Sequence, residues 1–169
     1  MISEELFPIV DEVGNVTGRA TRSECHGGSM LLHPVVHLHV MREGGFLYLQ
    51  KRAMDKDIQP GKWDTAVGGH VDFGESIAEA LFREASEELG LRGFVPTKLP
   101  PYVFTSDRER ELVNPYYVIV AEDEVLAPDP GEITEGRFWH VDEIKANVGR
   151  DVFTPNFENE FELIKDYIK

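Results

Sequence analysis

A mixed α+β fold is the class that this sequence predicts, and three observations predict it. Short runs rich in β-branched and aromatic residues recur along the 169 residues. One strongly capped helix stands among them near the middle of the chain. Strands and helices do not alternate in the regular rhythm of a fully parallel sheet, so a mixed sheet with helices packed on it is expected. The length suits one domain over 1–169 with a hairpin extension at about 1–30, and a hydrophobic content of 41% is enough for a core.

The elements follow in order. Leu6 to Val13 reads as a strand, Gly14-Asn15 as a turn and Val16 to Thr21 as the returning strand. Arg22 to Gly28 is a short helix or loop. Val35 to Val40 and Phe46 to Gln50 are strands joined by a tight turn at Gly44-Gly45. On the first of these, His33, His37 and His39 share one face by parity, opposite Val36, Leu38 and Val40; they either meet solvent or line a pocket. Residues 53 to 62 are polar, contain Pro60-Gly61 and form a loop, and Trp63 to Val67 is a short strand. After the central helix, Pro96 to Pro101 breaks the chain. Tyr116 to Ala121 is a strand, Pro128 to Gly131 a turn, Arg137 to Val141 a last strand and Asn159 to Ile168 a closing helix. No internal repeat or low-complexity segment is present.

Thirty-one Asp and Glu against 17 Lys and Arg give a formal net charge of -14. That balance argues against a nucleic acid polymer or an anionic membrane as partner, because both attract basic patches. It suits a protein that carries divalent cations. Cys25 is the only cysteine, so an internal disulfide is excluded and a reducing, cytoplasmic setting is expected. The opening MISEELFPIV does not read as a signal peptide, and no stretch approaches the roughly 18 apolar residues of a membrane span.

The central segment, GGHVDFGESIAEALFREASEELGL from Gly68 to Leu91, holds six carboxylates, at Asp72, Glu75, Glu79, Glu84, Glu87 and Glu88, and a single fixed cation, Arg83. Ser76-Ile77-Ala78-Glu79 is a capping box and Gly90 a helix-ending glycine, which predicts a helix from about Ile77 to about Leu89. Ala78, Leu81, Phe82, Ala85 and Leu89 form its expected apolar stripe. Glu84, Glu87 and Glu88 share a neighbouring face at spacings that cost a few tenths of a kcal/mol per like-charge pair. A solvated acidic face is the ordinary explanation. Three carboxylates on one side are also what a hard cation such as Mg²⁺ takes, usually shared with substrate phosphates.

These residues fill a known pattern. Gly69, five residues, Glu75, seven residues, then Arg83-Glu84-Ala85-Ser86-Glu87-Glu88-Leu89-Gly90-Leu91 resembles the Nudix box, G-x5-E-x7-REUxEE-x-G-U with U aliphatic. The resemblance covers 23 residues and implies an α/β/α sandwich with a mixed sheet. It also implies hydrolysis of a diphosphate bond in a small organic substrate, of nucleoside diphosphate type or related, with Mg²⁺ or Mn²⁺. Carried over by position, Glu84, Glu87 and Glu88 are metal ligands and the Gly69 carbonyl a further one. Glu75 and Arg83 then hold those ligands in place. Two or three metals neutralise the phosphates and lower the pKa of the attacking water, and a carboxylate base takes its proton. Glu87 is one candidate base; Glu135 and Glu132 are others, with Glu135 preferred. Arg52, Lys51 and Lys62 are cations near the box and candidate phosphate contacts, Arg by the bidentate geometry of its guanidinium.

A second resemblance is to isopentenyl-diphosphate isomerase, which shares the Nudix fold. His26, His33 and His70 resemble the histidines that hold that enzyme's metal, and Leu49 to His70 resembles its run through a Pro-Gly turn and a Trp. The isomerase's cysteine falls where this chain has Gly68, and the REUxEE element is intact. An isomerase-like hydrolase is therefore expected, with isomerase-like activity or a non-catalytic ligand-binding Nudix domain as the alternatives. Glu109 and Glu111 lie near the register of the isomerase's later glutamates. The expected partner is a small-molecule diphosphate, and homodimer formation stays open.

Overall fold

The computed structural model describes residues 4–55, 59–131 and 133–169. An N-terminal hairpin, β1 (Leu6–Val10) and β2 (Val16–Thr21), leads through α1 (Arg22–His26) into the main sheet. There follow β3 (Leu32–Arg42), β4 (Phe46–Arg52), β5 (Trp63–Thr65), β6 (Val67–His70), α2 (Ile77–Leu89), β7 (Thr97–Lys98), β8 (Tyr102–Thr105), β9 (Arg110–Ile119), β10 (Ile133–His140), α3 (Val141–Asn147) and α4 (Pro155–Ile164). A 3₁₀ turn, Lys165–Tyr167, closes the chain. The sheet is mixed, in the order β10-β4-β3-β9-β7, with β5 paired to β4, β6 to β3 and β8 to β9. Its centre, β3 beside β9, is parallel over ten residue pairs from Leu32↔Arg110 to Met41↔Ile119. The mixed class expected from the sequence is the class observed.

Helices cover both faces of the sheet. Even-numbered β3 residues Val36, Leu38 and Val40 pack with Ala80, Leu81, Ala85 and Leu89 of α2. On the other side, Met41 of β3 and Leu47 and Leu49 of β4 pack with Trp63, Phe153, Phe157, Phe161 and Ile164. Full burial of side chains this large stabilises the fold by roughly 1.5–3 kcal/mol each, which fixes α2 and α4 against the sheet.

Several boundaries differ from the sequence reading. β9 begins at Arg110, six residues before the expected Tyr116, because Glu111 to Pro115 pair with β3 despite their polar and Pro content. The closing helix starts at Pro155, not Asn159. Thr154 caps it by accepting from the Phe157 amide, and Pro155 occupies the first turn, where a missing N–H costs nothing. On α2 the buried stripe is Ala80, Leu81, Ala85 and Leu89, whereas Phe82 is 41% exposed. The stripe is rotated from the expected one, and the turn brings Glu84 and Glu88 toward β6. The odd face of β3 does not meet solvent: His33 and His39 are fully buried.

The feature that creates a site is a split in the sheet. β3 and β4 pair only next to their turn, at Met41↔Leu47 and Arg42↔Phe46. Beyond that they diverge. β6 takes the free edge of β3 at Val35 to Leu38, and β5 takes the edge of β4 at Leu49 to Lys51. The Trp63–His70 segment bridges the gap. Among the described residues no helix is long and apolar enough to cross a membrane.

Candidate active site

The split opens into a cleft of about 750 Å³. Val35 and His37 of β3, Gln50 and Arg52 of β4, Asp64 and Thr65, and Gly68 to His70 line it, with Glu88 from α2 and Glu109 and Glu111 from the β8–β9 region. A depression of about 680 Å³ beside the β3–β4 turn, lined by Arg42, Phe46 and Ile119, holds none of the candidate residues.

The acidic helix reaches the cleft through two glycines. α2 starts where Ser76 accepts from the Glu79 amide and Glu79 accepts from the Ser76 amide, so the expected capping box is present. It ends at Gly90 with φ 65°. Glu88 accepts from the Gly68 amide at 3.1 Å. A Cβ built on Gly69 would collide with the Glu84 carboxyl group, so the bare glycine is what lets that carboxylate lie against the β6 backbone. Arg83 organises the group. Its Nε and one Nη grip both oxygens of Glu75 at 2.8 and 2.9 Å. It also donates to the His70 carbonyl at 3.1 Å and to Glu84 at 2.8 Å. Its hydrogen bonds hold the Glu75 carboxyl below the usual carboxylate range. Burial raises the Glu84 carboxyl, with Arg83 opposing. Glu87 stays outward, its side chain 61% exposed and 3.6 Å from Arg83.

A second cluster faces the first across Gly69-His70. His26 from α1, His33 from β3, His70 from β6 and Glu109 before β9 each bring one ligand atom to within 4.8 Å of the others. The Nε2 atoms of His26 and His70 lie 3.0 Å apart, and those of His26 and His33 lie 3.1 and 3.7 Å from one Glu109 oxygen. His33 Nε2 and Glu109 Oε2 are buried without a hydrogen bond among the described residues. Burial, reinforced by neighbouring histidines, drives the His70 pKa down to about 3 and also lowers His33 and His26. Neutral imidazoles converging on an orphaned carboxylate oxygen are the donor set a transition-metal or Mn²⁺ ion requires. The N-terminal hairpin builds this cluster: Thr21 and Glu24 form a capping box on α1, which carries His26. Phe7 of β1 stacks on His70 with ring centres 4.6 Å apart.

The structure thus brings Glu88, Gly69 and Arg52 to the cleft lining, with Glu84 against Gly69 and Arg83 linking it to Glu75. Lys51, Lys62 and Glu135 do not line the cleft: Lys62 pairs with Asp151, and Glu135 sits opposite Lys51 in the β4–β10 ladder. Glu132 lies outside the described residues. Cys25 is fully buried against Phe7 and Ala20, so no thiol lines the cleft at Gly68. Sequence reasoning missed Glu160, a fully buried carboxylate that contacts His37 and His39. Its signal was present: Glu160 stands within the apolar stripe of Phe157, Phe161 and Ile164.

A mixed sheet between helices, with an Arg-braced glutamate helix set against a Gly-Gly strand, defines the class as Nudix-type pyrophosphohydrolases, which generally use a divalent metal. The chain belongs to the NUDIX domain family, whose model matches residues 31–157. The isopentenyl-diphosphate Delta-isomerase of Brevibacterium linens is 29% identical over 149 residues, covering 85% of this chain and 81% of that protein. An uncharacterized Nudix hydrolase of Yersinia pestis is 32% identical over 152 residues, covering 90% and 81%. The crystal structure of DR0079 from Deinococcus radiodurans shares the fold, with a TM-score of 0.78 at 21% identity over 97% of this chain and 99% of that one.

Proposed function

We propose that this chain catalyses metal-dependent hydrolysis of a diphosphate linkage in a small organic substrate, of nucleoside diphosphate type or related. The observation that carries the reading is the Glu84 carboxylate seated where a Gly69 side chain would stand, with Glu88 beside it on the Gly68 amide. Glu84, Glu87, Glu88 and the Gly69 carbonyl offer the hard oxygen ligands that Mg²⁺ or Mn²⁺ takes. A cation held there would neutralise phosphate charge and lower the pKa of its bound water. Arg83 and Glu75 keep the carboxylates in place. Glu87, exposed and adjacent, is suited to take a proton from water, and Glu135 is the alternative base. Of the candidates Arg52, Lys51 and Lys62, Arg52 is the one that lines the cleft and is suited to a phosphate contact. The histidine cluster with Glu109 has the donor chemistry for a further cation. A soluble, cytoplasmic enzyme acting on a small molecule fits the acidic composition.

The test is release of phosphate or pyrophosphate from a panel of nucleoside triphosphates, dinucleotides, nucleotide sugars and isoprenoid diphosphates with Mg²⁺ or Mn²⁺. Glu84→Gln and Glu87→Gln run alongside should each lower kcat by about a hundredfold or more. Unchanged release in both variants would remove the mechanism. A second reading, isomerisation of an isopentenyl-type diphosphate, is favoured by the histidine cluster and by Glu111, which burial and the neighbouring Glu109 push up to about 7. It lacks a thiol at Gly68. Conversion of isopentenyl diphosphate to its allylic isomer without diphosphate release would select it.

A further inference from the structure

We propose that His37, braced from behind by Glu160, donates a hydrogen bond through Nε2 to a diphosphate oxygen of the substrate and so positions the linkage that is cut. This rests on the hydrolase reading above.

The geometry is specific. His37 lines the cleft and is 9% exposed. Its Nδ1 lies 3.0 and 3.1 Å from the two oxygens of Glu160. The opposite edge of the ring faces β6: a Cβ on Gly68 would lie 3.5 Å from Cδ2 and 3.7 Å from Nε2. Gly68 has no side chain to cover that edge, and among the described residues both hydrogen bonds of His37 are made by Nδ1, to Glu160. The same Gly68 donates its amide to Glu88, and both His37 and Glu88 line the cleft.

The bracing is elaborate for a surface that apolar residues could have covered. Glu160 is fully buried in the apolar face of α4, and three side chains meet it: His37, His39 through Nε2, and the Tyr102 hydroxyl, which donates at 2.6 Å. Burying such a cluster is no route to stability, because well-packed apolar residues usually do as well or better. Burial alone would raise the Glu160 carboxyl, but His37 and His39 outweigh it and hold it well below the ordinary range. Burial likewise opposes charge on His37, yet Glu160, aided by Glu111 and Asp64, lifts it to about 9. With Nδ1–H committed to Glu160, a charged ring leaves Nε2–H as a donor aimed at the cleft.

His39 supplies the control. It binds the same carboxylate but is fully buried and does not line the cleft. Calorimetric titration with methylene diphosphonate and Mg²⁺ compares wild type, His37→Leu and His39→Leu. Affinity should fall about ten- to a hundredfold in His37→Leu, the span of one charge-assisted hydrogen bond, and by less than about twofold in His39→Leu. His37→Gln, which keeps a donor near the Nε2 position, should recover most of the loss. Equal losses in the two leucine variants, or none in His37→Leu, overturn the proposal. If those variants do not fold, ¹⁵N-histidine spectra of the wild type decide. The His37 Nε2 signal should move on adding Mg²⁺ and methylene diphosphonate, and an unmoved signal overturns it. Absence of any diphosphonate binding by the wild type would instead count against the hydrolase reading.

Discussion

Replacing one hydrogen atom of Gly69 by a methyl group should separate activity from stability. Gly69 has no positive φ, so alanine meets no backbone strain there. The new Cβ would instead displace the Glu84 carboxyl, the flexible end of a side chain that can swing away. Gly69→Ala is therefore expected to keep its thermal midpoint within about 3 °C and to lose about a hundredfold in kcat/KM, the scale of a lost metal ligand; steady-state kinetics and a melting curve check both. At this scale the sequence was legible where spacing places residues together. Glu84, Glu88 and Arg83 converge on the β6 backbone. The histidine cluster was legible only through the isomerase resemblance, because no local periodicity joins His26, His33 and His70 on three separate elements, and Glu109 reaches them from the loop before β9. Glu160 escaped because a lone acid in a helix normally reads as its solvent face.

Among the elements, α2 was readable to the residue because local chemistry sets both its ends. Ser76 and Glu79 satisfy two orphan amides, and Gly90 takes the left-handed conformation that ends the helix. Ser76→Ala removes one of those bonds and should cost about 1 kcal/mol in a denaturant titration, with the cleft residues untouched. A loss below about 0.3 kcal/mol would show that packing of Ala80, Leu81 and Leu89 alone sets the helix start. β9 and α4 were less legible. The pairing of Glu111 to Pro115 with β3 is a long-range choice that no local periodicity announces, and tertiary context overrides β-propensity there. For α4 the signal existed in Thr154-Pro155, a cap followed by a first-turn proline, but the helix was expected to start only at Asn159.

For the whole molecule, the organising event is the divergence of β3 from β4, which lets β5 and β6 bridge the gap and puts the Gly68-Gly69 backbone beside α2. The mixed class was visible in the order of segments; the split was not, since Gly44-Gly45 announced a simple hairpin. A formal charge of -14 is compatible with the divalent metal that Nudix enzymes generally use. The most direct measurement is anomalous diffraction from crystals soaked with Mn²⁺ and methylene diphosphonate. A manganese peak bonded to Glu84, Glu88 and the Gly69 carbonyl, with a diphosphonate oxygen completing its shell, is the predicted result. Bound diphosphonate with no manganese at those three groups would contradict it.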